Sequence, residues 1–366
     1  MRTVLLIGAG GSLAQAESYR RHWKGVHPPL DSDFFTRCTS IGKTRGDVSR
    51  RIKSLTDALT AAPGVGDPFD PVPLPMEQFF ADVYYEVAGR RNAAAFDVFV
   101  SLMRLYSVVL ATTTNWMADR ADSGILDRLI GKEISRGDPD KPTIITFNQD
   151  LVIENAVARL TRRGPSWCLN TLYSMPTLSP LFAPAGQPVF HHHDSSCLDG
   201  APAVLLKLHG SLNWGTRSLT AIPSAGSVFP QGRNKTVFLQ NRRLIEPQSR
   251  MRTHVRRGRN RWYLWPLIVP PIYDKQRITG MNVLQALWDN AAAAIERTER
   301  LVIVGYSLPE SDILARQLLR RAYAANSGLT SVEIVNPNPD VGPKVQRILG
   351  AKVVRVYQDI ESYIDS

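Results

Sequence analysis

The chain has 366 residues, of which 43% are hydrophobic and 21% are charged, as expected for a soluble globular protein of one large domain or two smaller ones. Its three cysteines form no CxxC pair, which argues against a disulfide framework and against a cysteine-rich zinc site. The net charge of +11 suits an anionic partner. We expect neither a signal peptide nor a stretch of membrane-spanning length, so the sequence predicts a cytoplasmic protein without a membrane partner.

The first predicted element is a buried strand at residues 4–7, followed by a glycine-rich turn and a helix-compatible stretch. A strand enters a phosphate-binding turn in this way. However, Leu13 stands where the dehydrogenase fingerprint G-x-G-x-x-G needs its last glycine, and no Walker Gly-Lys pair follows. A tight strand-to-helix connection without a ligand is the alternative explanation of the glycines.

Residues 50–135 contain no clear strand, and we predict that they form a helical module inserted into the sheet domain. A proline-rich connector at residues 63–75 precedes two stripes of apolar residues at helical spacing, which is typical of the core face of a helix. The stripes consist of Phe79, Phe80, Val83, Tyr84 and Val87, and of Phe99, Leu102, Met103, Tyr106, Val109 and Leu110.

Five further apolar, β-branched runs predict buried strands at residues 143–147, 204–208, 301–304, 332–335 and 353–356. Helical stretches separate several of them. This alternation predicts an α/β fold with a doubly wound, mostly parallel, Rossmann-like sheet that spans residues 1–366 as a single domain.

A second interruption of the sheet, at residues 211–280, carries much of the positive charge. From Arg242 to Arg261 there are eight arginines and a single acid, Glu246. This segment is either a solvated basic loop or a surface for an acidic protein or a nucleic acid.

Polar residues and glycines follow the predicted strands at their carboxyl ends, which meet at one edge of a parallel sheet. Taken singly, Asn148 or Asp150 could cap the next helix, and a lone histidine such as His209 is more often structural than catalytic. Together, the strand ends predict one shared site. Its candidate residues are Gly8, Ala9, Gly10, Gly11, Ser12, Thr146, Asn148, Asp150, His209, Gly305, Ser307 and Asn336.

This ordered set resembles the sirtuin-like family, which carries a GAG-x-S turn, a T-x-N-x-D strand end, an HG pair, a later G-x-S turn and a late asparagine. The sequences HGSLNW and IVPPIYDK further resemble a prokaryotic branch of that family associated with antiphage defence. The resemblance extends over almost the full chain.

The resemblance implies that NAD binds at this edge as a substrate. The glycine turn from Gly8 to Ser12 would hold the pyrophosphate through backbone N–H groups. Thr146 would be a further NAD-binding residue. Asn148 would bind the ribose or position a water, and Asp150 would hold the nicotinamide carboxamide. His209 would accept a proton. Gly305, Ser307 and Asn336 would hold the adenosine half.

The chain departs from protein-deacylating sirtuins because it has no cysteine between His209 and Gly305, so the expected zinc module is absent and no metal is predicted. His191, His192 and His193 are adjacent and unsuited to one metal. The favoured function is therefore an NAD hydrolase that releases nicotinamide and ADP-ribose. An NAD-dependent deacylase and a non-catalytic sensor of NAD or ADP-ribose are the alternatives.

The partner predictions follow from the same resemblance and from the inserted segments. We expect a homo-oligomer with subunit contacts through the helical module. A hexameric HerA-type ATPase is a candidate partner, and the arginine-rich segment is a candidate contact for an acidic surface or nucleic acid.

Overall fold

A computed structural model describes residues 1–19, 28–69, 74–90, 92–120, 122–138, 140–161, 172–173, 178–180, 201–218, 237–239, 249–252, 261–270, 282–310, 312–350 and 354–366. Within these ranges, six apolar runs form one parallel sheet. Its strands are β1 (Thr3–Ile7), β2 (Thr143–Thr146), β4 (Val204–Lys207), β9 (Arg300–Val304), β10 (Ser331–Val335) and β11 (Val354–Tyr357). Each lies within one residue of its predicted bounds, and the predicted α/β fold class is confirmed.

The order of this sheet is β11-β10-β9-β1-β2-β4, with β1 near its centre. Val4 pairs with Thr143 on one side and with Leu301 on the other, so the carboxyl ends of β1, β2 and β9 lie level. The chain adds β2 and β4 on one side of β1, and β9, β10 and β11 on the other. The change of direction falls between β1 and β9, where open α/β sheets form a ligand crevice.

Helices cover the sheet and explain why its strands are apolar on both faces. They are α1 (Ala9–Ser18), α2 (Phe34–Gly42), α3 (Gly46–Thr60), α4 (Met76–Ala88), α5 (Ala93–Ala118), α6 (Ile125–Ile134), α7 (Val152–Leu160), α8 (Asn282–Arg297), α9 (Ile313–Ala325), α10 (Val341–Leu349) and α11 (Ile360–Ile364). A short 3-10 turn at Asp31–Asp33 precedes α2.

The stretch between β1 and β2 is helical, with α3 and α4 packed against α5. The two predicted stripes are buried, except for half-buried Tyr84. Aromatic rings make the α4–α5 contact, since Phe80 packs edge-on against Phe99 and Tyr106 at 6.2 and 5.8 Å. The Asn92 side chain begins α5 by accepting bonds from two backbone amides of its first turn.

The expectation that no stretch reaches membrane-spanning length is wrong for α5. This helix has 26 residues and a mean hydropathy of 1.7 over its most apolar window. However, 72% of that window is buried inside the protein. Helix α5 is therefore the central helix of a core, since a helix that is surrounded by other helices is apolar on all sides.

A second sheet forms from β3 (Leu178–Pro180), β5 (Gly210–Ser218), β6 (Val237–Leu239), β7 (Ser249–Arg252) and β8 (Arg261–Ile268), in the order β3-β6-β5-β8-β7. The long pair β5–β8 is antiparallel. Gly210 makes their close approach possible, since its φ is +79° and a Cβ there would lie 2.0 Å from the Leu267 oxygen. β8 ends at Ile268, just before Pro270.

The α4–α5 contact generates a test of the helical core. Phe99 is fully buried, so Phe99→Ala should lower the free energy of unfolding by about 3–5 kcal/mol through lost burial and a cavity. The control Tyr85→Ala removes a ring that is 61% exposed and should change it by less than about 0.5 kcal/mol. Urea unfolding measures both, and equal effects would contradict this packing.

Candidate functional site

The turns after β1 and β9 touch through their backbones at the crevice. Gly8 N donates to Val304 O and Gly10 N to Gly305 O, each at 2.9 Å. A Cβ on Gly8 or Gly10 would lie 2.7 or 2.8 Å from the Gly305 oxygen. Glycine is therefore required here for close packing of two loops, which is the ligand-free explanation offered by the sequence.

The same turn begins helix α1 at the carboxyl edge of the sheet. Ala9 is exposed, and no acidic residue lies in the first helical turn. The positive end of the helix dipole therefore points to the surface there, as at anion sites. The amides of Gly8, Gly10 and Gly11 all donate to protein carbonyls, so they are not the free cradle that the sequence predicted.

Three polar side chains, from α1 and from the loop after β2, form one hydrogen-bonded cluster. Ser12 Oγ donates to Asp150 Oδ2 at 2.7 Å. Asn148 Nδ2 donates to Ser12 Oγ at 3.1 Å and to Gly8 O at 2.9 Å. The structure thus brings together residues that are about 140 positions apart in the chain.

Thr146 supports this cluster from the end of β2. Its hydroxyl donates to Ile7 O at 2.7 Å and accepts from Asn148 N at 3.0 Å. Thr146 is fully buried, so its observed part is to lock the loop after β2 onto β1.

Leu151 occupies the N-cap position of α7, but Asp150, and not Asn148, bonds an amide at the start of this helix. Asp150 Oδ1 accepts from the amide of Val152, which begins α7, at 3.0 Å. The carboxylate still has acceptor capacity, since each oxygen carries two lone pairs. Asn148 uses its side chain on the β1 turn instead.

His209 lies just beyond β4, at the same edge of the sheet. Leu208 N donates to Thr146 O at 2.9 Å, which holds this segment beside the β2 loop. The His209 ring is buried, with its centroid 5.0 Å from the Phe147 ring and 6.3 Å from the Trp288 ring. Trp288 Nε1 is fixed by donation to Leu208 O at 3.1 Å.

Phe147 and Tyr306 add a stacked pair that sequence reasoning missed. Their ring centroids are 5.0 Å apart with an interplanar angle of 30°, so loops from β2 and β9 meet above β1. Tyr306 is fixed by donation to Asp312 Oδ2 at 2.7 Å. The signal in the sequence was the aromatic residue inside each turn motif.

The β9 and β10 ends adjoin the crevice through the backbone. Gly305, with φ of +57°, donates its amide to Val335 O at 2.9 Å. Asn336 Oδ1 accepts from Asn338 N at 3.0 Å and so shapes the turn after β10. Ser307 is exposed, and Lys344 Nζ donates to its carbonyl at 3.3 Å.

A buried polar group beneath the Asn148–Asp150 loop was also missed. Lys207 pairs with Glu154 at 2.8 Å, and Tyr173 OH donates to the same carboxylate oxygen at 2.6 Å. Lys207 lies in an apolar strand and Glu154 in an amphipathic helix, and neither belongs to a sequence motif that would indicate their contact.

Three buried tyrosines around the crevice have raised pKa values. Burial and the charges of Asp150 and Asp31 raise the pKa of Tyr106. Burial and Asp312 raise the pKa of Tyr306, and burial and Glu154 raise that of Tyr173. All three phenols are neutral at physiological pH and can act there only as hydrogen-bonding groups, not as bases.

Two sequence predictions lie outside the described residues. They are the histidine run His191, His192 and His193, and most of the segment from Arg242 to Arg261. In the described part of the chain, no group of three or more His, Cys, Asp and Glu residues is placed to hold a metal ion.

No family model and no curated protein sequence matches the chain. Among solved structures, it is similar to one from work on the mechanism and regulation of Sir2 enzymes, with 14% identity over 99% of this chain and 90% of that chain, and a TM-score of 0.38. Two structures of a substituted Sir2 homologue in complex with ADP-ribose are 15% and 14% identical, each over 100% of this chain and 89% of theirs, with TM-scores of 0.40 and 0.44. The assignment of the α/β fold therefore rests on the parallel sheet and its strand order.

The contact between the turns after β1 and β9 predicts that adding a methyl group at Gly10 changes the stability of the protein. Gly10→Ala would gain up to about 1 kcal/mol of helix propensity. Its Cβ would lie 2.8–2.9 Å from backbone atoms of Gly305, which cannot rotate away, so overpacking of about 1–3 kcal/mol should dominate and destabilise the protein.

The matched control is Gly66→Ala, because a Cβ at Gly66 meets nothing within 4 Å. It should be neutral or slightly stabilising. Urea unfolding compares the two variants. A Gly10→Ala protein as stable as the control would contradict the contact.

Proposed function

We propose that this chain is a sirtuin-like NAD hydrolase that cleaves the bond between nicotinamide and ribose to give nicotinamide and ADP-ribose. The observation that supports it best is the hydrogen-bonded cluster of Ser12, Asn148 and Asp150 at the carboxyl edge of the sheet, between the start of α1 and the loop after β2. His209 lies at the same edge, in ring contact with Phe147. A dinucleotide fits a crevice of this type, which lies at the change of direction in a parallel sheet.

The pyrophosphate of NAD would lie at the start of α1. The helix end supplies a positive dipole, and no acidic residue lies in its first turn to oppose an anion. Because the amides of Gly8, Gly10 and Gly11 already donate within the protein, the dipole and the exposed Ala9 edge carry this interaction.

Asn148 would orient the reacting ribose or water. Both of its hydrogen bonds to Gly8 and Ser12 use the amide nitrogen, so its Oδ1 is the atom that can accept from a ribose hydroxyl or from water. Asp150 would accept from the nicotinamide carboxamide, while Ser12 and the Val152 amide hold its carboxylate in place.

The reaction passes through an oxocarbenium-like state, as in glycoside hydrolysis. The nicotinamide ring is cationic in NAD and leaves as a neutral molecule. The leaving group therefore needs no general acid. His209 would accept the proton of the attacking water or of a ribose hydroxyl, since histidine is the side chain that most often acts as a general base. Gly305, Ser307 and Asn336 would hold the adenosine half at the β9 and β10 ends.

The resemblance also supports a biological setting. We propose that the chain depletes NAD as an effector of bacterial antiphage defence, acts in the cytoplasm and needs no zinc. A hydrolase that destroys NAD requires control, and assembly into a homo-oligomer or pairing with a HerA-type ATPase would provide it.

The chemistry is tested with purified protein and NAD. Asn148→Ala and His209→Ala should each lower turnover about a hundredfold or more, because each removes a group that positions or deprotonates the nucleophile. Chromatographic separation of nicotinamide and ADP-ribose measures turnover. Asn115→Ala, a change at an exposed position of α5, is the matched control and should be fully active.

Wild-type turnover in both site variants would refute the residue assignment. Consumption of NAD only in the presence of an acyl-lysine peptide, with O-acyl-ADP-ribose as product, would identify a deacylase. Binding of NAD without turnover, by the chain alone and with a HerA-type ATPase present, would identify the non-catalytic sensor.

The assembly proposal is tested separately. Light scattering at micromolar concentration should report a mass above the 40.7 kDa of one chain. Reversing the charges of Arg256, Arg257 and Arg259 to glutamate should weaken binding to DNA or to an acidic partner, since such contacts are electrostatic. A monomer whose binding is unchanged by the reversal would contradict both parts.

A further inference from the structure

A lysine ammonium group is buried directly beneath the Asn148–Asp150 loop. Lys207 is the last residue of β4 and is 1% exposed, and it precedes His209 by two positions. Its Nζ donates to the carbonyl oxygen of Asp150 and, at 2.8 Å, to Glu154 Oε1. Lys207 therefore joins the strand that leads to His209 to the loop that carries Asn148 and Asp150.

This ion pair is poorly explained by stability alone. Glu154 is fully buried as well, and removing two charges from water is offset only when both are well paired and hydrogen-bonded. Apolar residues of similar volume usually stabilise a core as well as a buried ion pair does. What an apolar pair could not supply is a donor for the Asp150 carbonyl.

The contacts of Lys207 fix the start of α7 at two points. Asp150 lies just before the helix and Glu154 lies in its first turn, four residues later. One ammonium group holds both. Tyr173 OH donates to the same Glu154 oxygen at 2.6 Å, and Asn213 Nδ2 on β5 donates to Tyr173 OH at 3.2 Å.

Further hydrogen bonds join the same loop to the His209 segment. Leu212 N donates to Gln149 O at 2.9 Å, and Gln149 Nε2 donates to Val269 O at 2.5 Å. Val269 N in turn donates to His209 O at 2.8 Å. The loop and the histidine segment are thus held as one unit, with Lys207 at its buried side.

We propose that Lys207 is a positioning residue for the hydrolase reaction. It holds the Asp150 carbonyl, and through it sets where Asn148 and Asp150 lie relative to His209. This inference rests on the proposed function for its catalytic consequence, but the contact itself can be measured independently of NAD.

The test compares two double variants, each of which replaces a buried ion pair with uncharged residues. Lys207→Met alone leaves Glu154 buried without its cation and could fail to fold, so the informative variant is Lys207→Met with Glu154→Gln. The matched control is Arg159→Met with Asp127→Asn, which removes another buried ion pair, at 2.8 Å, from the far end of α7.

The first measurement is amide hydrogen exchange by mass spectrometry on the ligand-free protein. The Lys207/Glu154 variant should exchange at least about tenfold faster at residues 148–153, because the loop loses its buried donor. The control pair should leave these residues within about twofold of wild type. Unchanged exchange in the Lys207/Glu154 variant would overturn the proposal whether or not the protein hydrolyses NAD.

The second measurement is steady-state kinetics with NAD. For the Lys207/Glu154 variant, kcat should fall about tenfold to a hundredfold with KM changed less than about threefold, as for misplaced catalytic groups. The control pair should keep its kcat within about twofold. Faster exchange with an unchanged kcat would overturn the positioning role, whereas a wild-type protein without turnover would overturn the proposed function.

Discussion

The site depends on the direct backbone contact between the turns after β1 and β9. Gly10 N donates to Gly305 O, and the glycines at 8, 10 and 305 leave no room for a Cβ on either loop. This contact draws the two loops together where the sheet changes direction. Ser12, two residues after Gly10 in α1, is thereby placed where Asn148 and Asp150 can reach it from the loop after β2.

Buried charge is used differently at the two edges of the sheet. At the amino edge, Arg300 pairs with Glu133 and Glu333, and Tyr363 of the C-terminal helix donates to Glu133 at 2.6 Å. This group of side chains joins β9, β10, α6 and α11 at the edge of the sheet opposite the candidate site. At the carboxyl edge, Lys207 is shared between a carboxylate and a loop carbonyl, so a buried charge bears directly on the geometry of the candidate site.

Strands and strand ends could be predicted because buried parallel strands are continuous apolar runs, and their carboxyl ends must meet at one edge. The strand order follows the predicted doubly wound pattern. The use of the Gly8 and Gly10 amides could not be predicted, since their acceptors, Val304 O and Gly305 O, lie almost 300 residues away in the chain. The Lys207–Glu154 contact was missed because a buried ion pair has no local sequence signal. The hydropathy of α5 was underestimated because a few dispersed polar residues interrupt its apolar run.

The most direct test of the proposed NAD hydrolysis is the product balance of NAD cleavage by the wild-type protein without any peptide. Chromatography coupled to mass spectrometry can follow NAD, nicotinamide and ADP-ribose together in water enriched in oxygen-18. Hydrolysis should give nicotinamide and ADP-ribose in equal amounts, with one oxygen-18 incorporated in the ADP-ribose. Intact NAD, or cleavage that requires an acylated lysine as acceptor, would contradict it.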